Sequence, residues 1–260
     1  MQNVTSDGHD LDAIAARLDD AAVAAKAVPQ LEGALTLDHA YEIQALSLAR
    51  RYRRGERRIG IKMGFTSRAK MAQMGVSDMI FGRLTDRMLI EAGVAVSIGR
   101  FVHPRVEPEV AFLLKAPLSG RIDPMTAMSA VAAVAPALEI IDSRYQNFKF
   151  SLTDVVADNS SSSGLVIGPW ADPGIDLGNL GMLMEIDGAA RQIGSTAAIL
   201  GHPVFSLVAA ARLTAERGEQ LVAGDIVMAG GATAAEALAP GQYVKLSVER
   251  LGVVSFGVGD

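Results

Sequence analysis

Three glutamates and one lysine carry most of the chemistry this sequence could perform. Glu107 and Glu109 lie in "HPRVEPEVAFLL", residues 103–114, which otherwise reads as a core strand. Positions i and i+2 of a strand project to one face. The two carboxylates therefore point together, and Val106 and Val110 point away. Adjacent buried carboxylates repel, and each is costly to desolvate. A divalent cation removes both problems, and an all-oxygen donor set points to Mg2+ or Mn2+ rather than zinc. On spacing alone the simpler reading leaves the pair on the solvent face of an edge strand. Pro108, without an N–H, places the segment at an edge, a bulge or a strand end.

A third acid shifts that balance. Glu139 sits in "APALEIIDSRY" between Leu138 and Ile140, where a charge needs a partner. Asp142, at the end of the same stretch, reads as salt-bridged to Arg144. Three carboxylates from two strands would leave about three positions of an octahedron open to substrate and water. Lys62 is the one charge in "GIKMGFTS"; as an isolated lysine it reads first as a surface residue. "TDVVADNSSSSG", 153–164, is dense in hydroxyls and amides that suit carboxylate oxygens, or is simply a polar turn. "AGGAT", 229–233, follows a strand with two glycines and can offer N–H groups to an anion.

The elements that must position these residues fall into two parts. A helix is expected from Asp10 through about residue 27, and a second begins at a Thr36 cap and stops near Gly55. The arginine-dense end of the second helix, "ARRYRRGERR", reads as a solvated basic terminus. "RIGIKMGFTS" reads as a short strand into a loop, and "SRAKMAQMG" as a two-turn helix. Beyond it come short glycine-bounded strands, "DRMLIEAG", "VAVSIG", "VEPEVAFLL", "PALEIID" and "GLVIG". An alanine-rich helix is expected from Asp123–Pro124 to about Val134, and another over "HPVFSLVAAARLTAERG". An alternating strand pair ends the sequence. The expectation is an α+β fold, with a mainly helical part over 1–78 and a β-rich catalytic body over 79–260.

Composition bounds the function. The 260 residues are half hydrophobic, with a net charge of −5, which favours neither nucleic acid nor an anionic membrane as partner. There is no cysteine, which excludes disulfides, thiolate ligands and cysteine nucleophiles. The four histidines, at 9, 39, 103 and 202, show no paired ligand spacing. Neither a signal-peptide pattern nor about 18 uninterrupted apolar residues is seen, so a cytoplasmic enzyme is expected.

The ordered motifs "KMGFTSRAKMAQMGV", "HPRVEPEVAFLL", "APALEIIDSRY", "FSLTDVVADNSSSSG" and "AGGATAAEAL" resemble those of the 4-oxalocrotonate (2-oxo-3-hexenedioate) decarboxylases. These belong with the vinylpyruvate hydratases in the fumarylacetoacetate hydrolase superfamily. The likeness runs from about residue 35 to the C-terminus. It implies a mixed β-roll body and a divalent metal, Mg2+ or Mn2+, held by Glu107, Glu109 and Glu139. The implied reaction is metal-dependent loss of CO2 from 2-oxo-3-hexenedioate to give 2-hydroxypenta-2,4-dienoate in aromatic meta-cleavage catabolism, the metal stabilising a dienolate. Lys62 becomes an active-site residue, a second cation near the keto oxygen or a proton donor, and burial near a metal is expected to lower its pKa. Asp158, Asn159, Ser161 and Ser162 are expected to orient the substrate, Thr233 to contact its carboxylate, and Arg68 to face the leaving carboxylate. The His–Glu pair with which superfamily hydrolases activate water is not convincingly present; His39 and Glu42 are only loosely placed for it.

The expected partners are a small dicarboxylate 2-keto acid, the vinylpyruvate hydratase and further copies of the chain. Three rivals stay open: a 2-hydroxypenta-2,4-dienoate hydratase on the same metal, an acylpyruvate hydrolase, and a non-catalytic metal-binding partner subunit.

Overall fold

The computed structural model describes residues 10–33, 35–67, 71 and 78–260. Two helices come first, α1 (Leu11–Val23) and α2 (Leu37–Arg53). Asp10 caps α1 by accepting from the N–H of Ala13, and Thr36 caps α2 by accepting from that of His39. The two helices are clamped by Asp19. This buried carboxylate takes two hydrogen bonds from Arg54, at 2.6 and 2.7 Å, and one from Arg50 at 2.7 Å. The basic end of α2 is thus partly structural rather than simply solvated.

The strands follow. They are β1 (Arg58–Gly64), β2 (Ile80–Thr85), β3 (Leu89–Ile90), β4 (Ala95–Ser97) and β5 (Arg105–Leu114), then β6 (Val131–Ile141) and β7 (Ser162–Ile167). After them come β8 (Gly181–Ile186), β9 (Ala189–Ser195), β10 (Ile226–Met228), β11 (Glu236–Ala237), β12 (Tyr243–Val248) and β13 (Gly252–Gly259). Among the described residues, the helices α3 (Pro124–Ser129), α4 (Leu152–Ala157) and α5 (Val204–Glu216) connect them.

A mixed sheet in the order β2-β1-β10-β5-β6-β7-β3, with β11 beside β5, curls into a half-barrel. A second sheet runs β4-β13-β12-β8-β9. The α+β expectation holds. β1 lies on the N-terminal side of the division expected at residue 78, yet it is paired with β10 in parallel and with β2 antiparallel. Alternation gives the main sheet two apolar faces. Val106, Val110, Phe112 and Ile140 enter the large core, and Leu84, Ala111, Ala137, Leu165, Ile226 and Met228 form a smaller cluster.

Two local expectations are corrected. The alanine-rich helix ends at Ser129, and Val131–Ile141 is one continuous strand. Its pairing with β5, from Leu114↔Val131 to Arg105↔Ile141, overrides the helical preference of its alanines. Pro108 lies within β5, not at an edge. It falls at the break between the two partners on one side, β10 at 111–113 and β11 at 105–106, where a missing N–H leaves no ladder bond unmade. Asp142 pairs with Arg144 as expected, at 4.0 Å, and its carboxylate also accepts from the backbone N–H groups of Val102 and His103. Most of the short helix expected over residues 67–75 lies outside the described residues. Among those described, no helix is long and apolar enough to cross a membrane.

Candidate metal centre

The acids converge because of strand register. Glu107 is directly opposite Glu139 across β5 and β6, and Glu109 follows on the same face. Directly opposed residues of antiparallel strands share a face. One carboxylate oxygen from each of Glu107, Glu109 and Glu139 falls within 4.8 Å of the others. Lys62 joins them from β1. Its neighbour in the ladder is Met228 of β10, whose other neighbour is Ala111 of β5, two residues beyond Glu109. Lys62 Nζ lies 3.1 Å from Glu139 Oε2.

The centre is dry and under-satisfied. Glu109, Glu139 and Lys62 are 0%, 0% and 4% exposed. Glu109 Oε2 accepts from the N–H of Gly230 at 2.8 Å. Glu109 Oε1 and both oxygens of Glu139 are buried without a well-aligned hydrogen bond. Orphaned buried carboxylate oxygens are rare unless something charged faces them. The donor set fits a hard divalent cation: oxygen ligands only, preorganised on rigid strands.

Electrostatics agree. Burial and the charges of Glu139 and Glu107 push the Glu109 carboxyl well above the usual carboxylate range, although Lys62 and the Gly230 N–H pull it down. Burial also raises Glu139, again against Lys62. For Lys62 burial acts downward, but the three glutamates outweigh it and hold the ammonium above its ordinary value. The expected lowering of the Lys62 pKa is thus reversed in the metal-free chain.

A cavity of about 120 Å³ opens beside these groups. Lys62, Thr66, Glu107, Ser160, Ser161 and Gly231 form its polar side, and Phe65, Ile80, Ile141, Phe148, Phe150 and Val155 its apolar wall. Gly231 gives the Glu107 carboxylate its room. A Cβ at this position would lie 2.7 Å from Glu107 Oε2 and 2.8 Å from its carboxyl carbon.

The remaining expected residues divide. Ser161 lines the cavity. Asp158 does not: it is ion-paired with Arg144 at 2.5 Å and accepts that residue's N–H at 2.9 Å. Asn159 bonds both backbone groups of Arg83, at 2.7 and 2.9 Å, tying the polar loop to β2. Ser162 is fully buried, its hydroxyl without a hydrogen-bond partner. Thr233 donates to the carbonyl of Ala234 and is not among the cavity-lining residues. Arg68 lies outside the described residues. The residues missed were Thr66, Ser160, Phe148 and Phe150. The alternating "NFKF" at 147–150 was the available signal for the two rings.

Comparisons with known proteins agree with this geometry. Residues 59–258 match the family model described as fumarylacetoacetate (FAA) hydrolase C-terminal. A 4-oxalocrotonate decarboxylase from a Pseudomonas species is 58% identical over 94% of this chain and 96% of its own length. A 2-hydroxypent-2,4-dienoate hydratase from Pseudomonas putida is 40% identical over 65% of this chain and 78% of its own. The solved 4-oxalocrotonate decarboxylase of Pseudomonas putida G7, complexed with magnesium and adipate, superposes with a TM-score of 0.94 at 38% identity, covering 99% of this chain and 100% of that one.

Proposed function

Since the chain belongs to the fumarylacetoacetate hydrolase family, we propose that it decarboxylates 2-oxo-3-hexenedioate to 2-hydroxypenta-2,4-dienoate in a meta-cleavage pathway. The observation that carries this reading is the convergence of three buried carboxylates and one buried lysine beside a cavity walled by three phenylalanines.

A divalent cation, Mg2+ or Mn2+, held by Glu107, Glu109 and Glu139 supplies Lewis-acid polarisation of the 2-keto acid end of the substrate. The C5–C6 bond breaks, and C6 leaves as CO2. Its electron pair becomes the C4–C5 double bond, the C3–C4 pair moves to C2–C3, and the keto oxygen takes the last pair. Lys62 keeps a positive charge in a dry site close to where that oxygen turns negative, and its ammonium carries the proton the oxygen takes up. Glu139 holds Lys62 in place. Ser161 and the Gly230–Gly231 backbone orient the keto acid end. Phe148, Phe150 and Val155 exclude water from the carbon chain, which favours loss of CO2 over addition of water. Asp158 and Asn159 act at one remove, fixing the loop that carries Ser161. We place the step in the cytoplasm, in a homo-oligomer that associates with the hydratase consuming the product.

The direct test is substrate-dependent CO2 release with and without a chelator. Release that stops with the chelator and returns with Mg2+ is the expected result. Water addition to the dienol without CO2 release would instead establish the hydratase reading, which the 40% identical relative keeps in view. Absence of both activities, with Mg2+ still bound, would leave the non-catalytic metal-binding reading.

A further inference from the structure

A cationic cluster lies away from the three glutamates. A cavity of about 240 Å³ is lined by Arg51 of α2, Arg54 at its C-cap, and Arg87, Arg100 and Arg144 of the β-rich body, against two acids, Glu56 and Asp142. Both acids are already engaged. Asp142 accepts the N–H groups of Val102 and His103, and Glu56 accepts from the Thr85 hydroxyl at 2.6 Å. Arg54 and Arg144 have close carboxylate partners, Asp19 and Asp158. Arg87 and Arg100 do not, and Arg51 has only a long ion pair to Asp19. Arg51 Nε is buried without a hydrogen bond, and its nearest carboxylate oxygen, Asp19 Oδ1, is 3.6 Å away. Arg87 and Arg100 stand exposed at the rim and pair with no carboxylate among the described residues.

A buried guanidinium N–H left without an acceptor is costly, and like charges converging on one cavity add to that cost. Planar guanidinium forks match the oxygens of phosphate and carboxylate. The volume is below the roughly 300–1,000 Å³ of drug-sized sites and suits a small anion. We infer that this cavity is a second binding site, for a small multivalent oxyanion, either a phosphate or a dicarboxylate. The anion bridges α2 to the β-rich body. The site is separate from the acidic centre but shares its walls: Asp142 and Ser163 face this cavity, whereas Ile141 and Ser161 face the one beside Lys62. The inference does not depend on the proposed reaction.

The test titrates the full chain, with Mg2+ present, with inorganic phosphate and separately with succinate, each against chloride at matched ionic strength. Calorimetry and the melting temperature are read together. Saturable binding of either anion, with a rise in Tm, is expected; which one saturates identifies the source. The paired change Arg87→Gln and Arg100→Gln, both at exposed positions, should weaken binding at least about tenfold and leave the Mg2+-induced rise in Tm intact. Arg100→Glu alone should act in the same direction. A response no larger than that of chloride, or one that survives both variants, overturns the site.

Discussion

Glu107 and Glu139 face each other directly across the β5–β6 ladder, two like charges in register within buried stretches of both strands. Such a pair destabilises a sheet unless a cation lies between the carboxylates. Fold and metal are therefore energetically linked.

Glu109→Gln separates metal binding from folding. Burial and neighbouring charge already favour the protonated Glu109 carboxyl in the metal-free chain. Glutamine mimics that form and can still accept from Gly230. The metal-free Tm should shift by no more than about 4 °C, the change that about 1 kcal/mol produces in a chain of this size. The rise in Tm on adding Mg2+ should disappear. A preserved rise would remove Glu109 from the ligand set.

The Mg2+ effect should grow with pH. Glu109 and Glu139 have raised pKa values in the folded, metal-free chain. Between the ordinary carboxylate range and those higher values, the folded state binds more protons than the unfolded state. Metal-free stability therefore falls as pH rises through that window. Cation binding needs ionised ligands and releases the protons. Melting curves at several pH values, with Mg2+ and with chelator, should diverge toward alkaline pH; parallel curves would contradict the linkage.

Gly231→Ala should act on Glu107 alone. The backbone there is not in the left-handed region, so alanine is tolerated conformationally, but its Cβ meets the Glu107 carboxylate. Displacing one of three ligands should weaken Mg2+ at least about tenfold, the lower end of what perturbed metal sites lose. Isothermal titration measures this directly, and circular dichroism should show an unchanged fold.

Lys62→Met should lower kcat by about 10²–10⁴-fold, the range for a positioned proton donor or oxyanion partner. KM should change far less, because the charge is used where negative charge develops. A large rise in KM with unchanged kcat would make Lys62 a binding group only.

Asp19→Asn tests the helical clamp. Burial alone would raise the Asp19 carboxyl, but Arg54 and Arg50 outweigh it and hold the pKa below its ordinary value. The clamp's contribution is therefore complete above about pH 4, the unfolded value, and is lost as pH falls through the folded pKa. The substitution should cost about 1–3 kcal/mol at neutral pH, reduced from a fully buried pair because Arg50 and Arg54 are part-exposed. Acid titrations of wild type and variant should converge at low pH.

Much of this site is written in local sequence. Alternation alone puts Glu107 and Glu109 on one face, and the helix caps Asp10, Thr36 and Asp123 mark their helices within a residue. The ordered motifs add the family and its metal. Local signals could not choose between helix and strand for Val131–Ala135, because alanine suits both once a partner strand is present. They assigned Asp158 and Asn159 to substrate, since a polar side chain's partner is invisible when it is Arg144's guanidinium or Arg83's backbone.

By itself, the sequence determined which residues could bind a hard cation and which neighbours share a face, because those depend on backbone geometry over two or three residues. Only the tertiary structure decided that Glu139 stands opposite Glu107, that Lys62 reaches Glu139 through the parallel β1–β10 pairing, and that the arginines of α2 close on Arg144. Those relations join segments far apart in the chain. They are set by strand register and by burial of two apolar faces at once, a balance no short stretch contains.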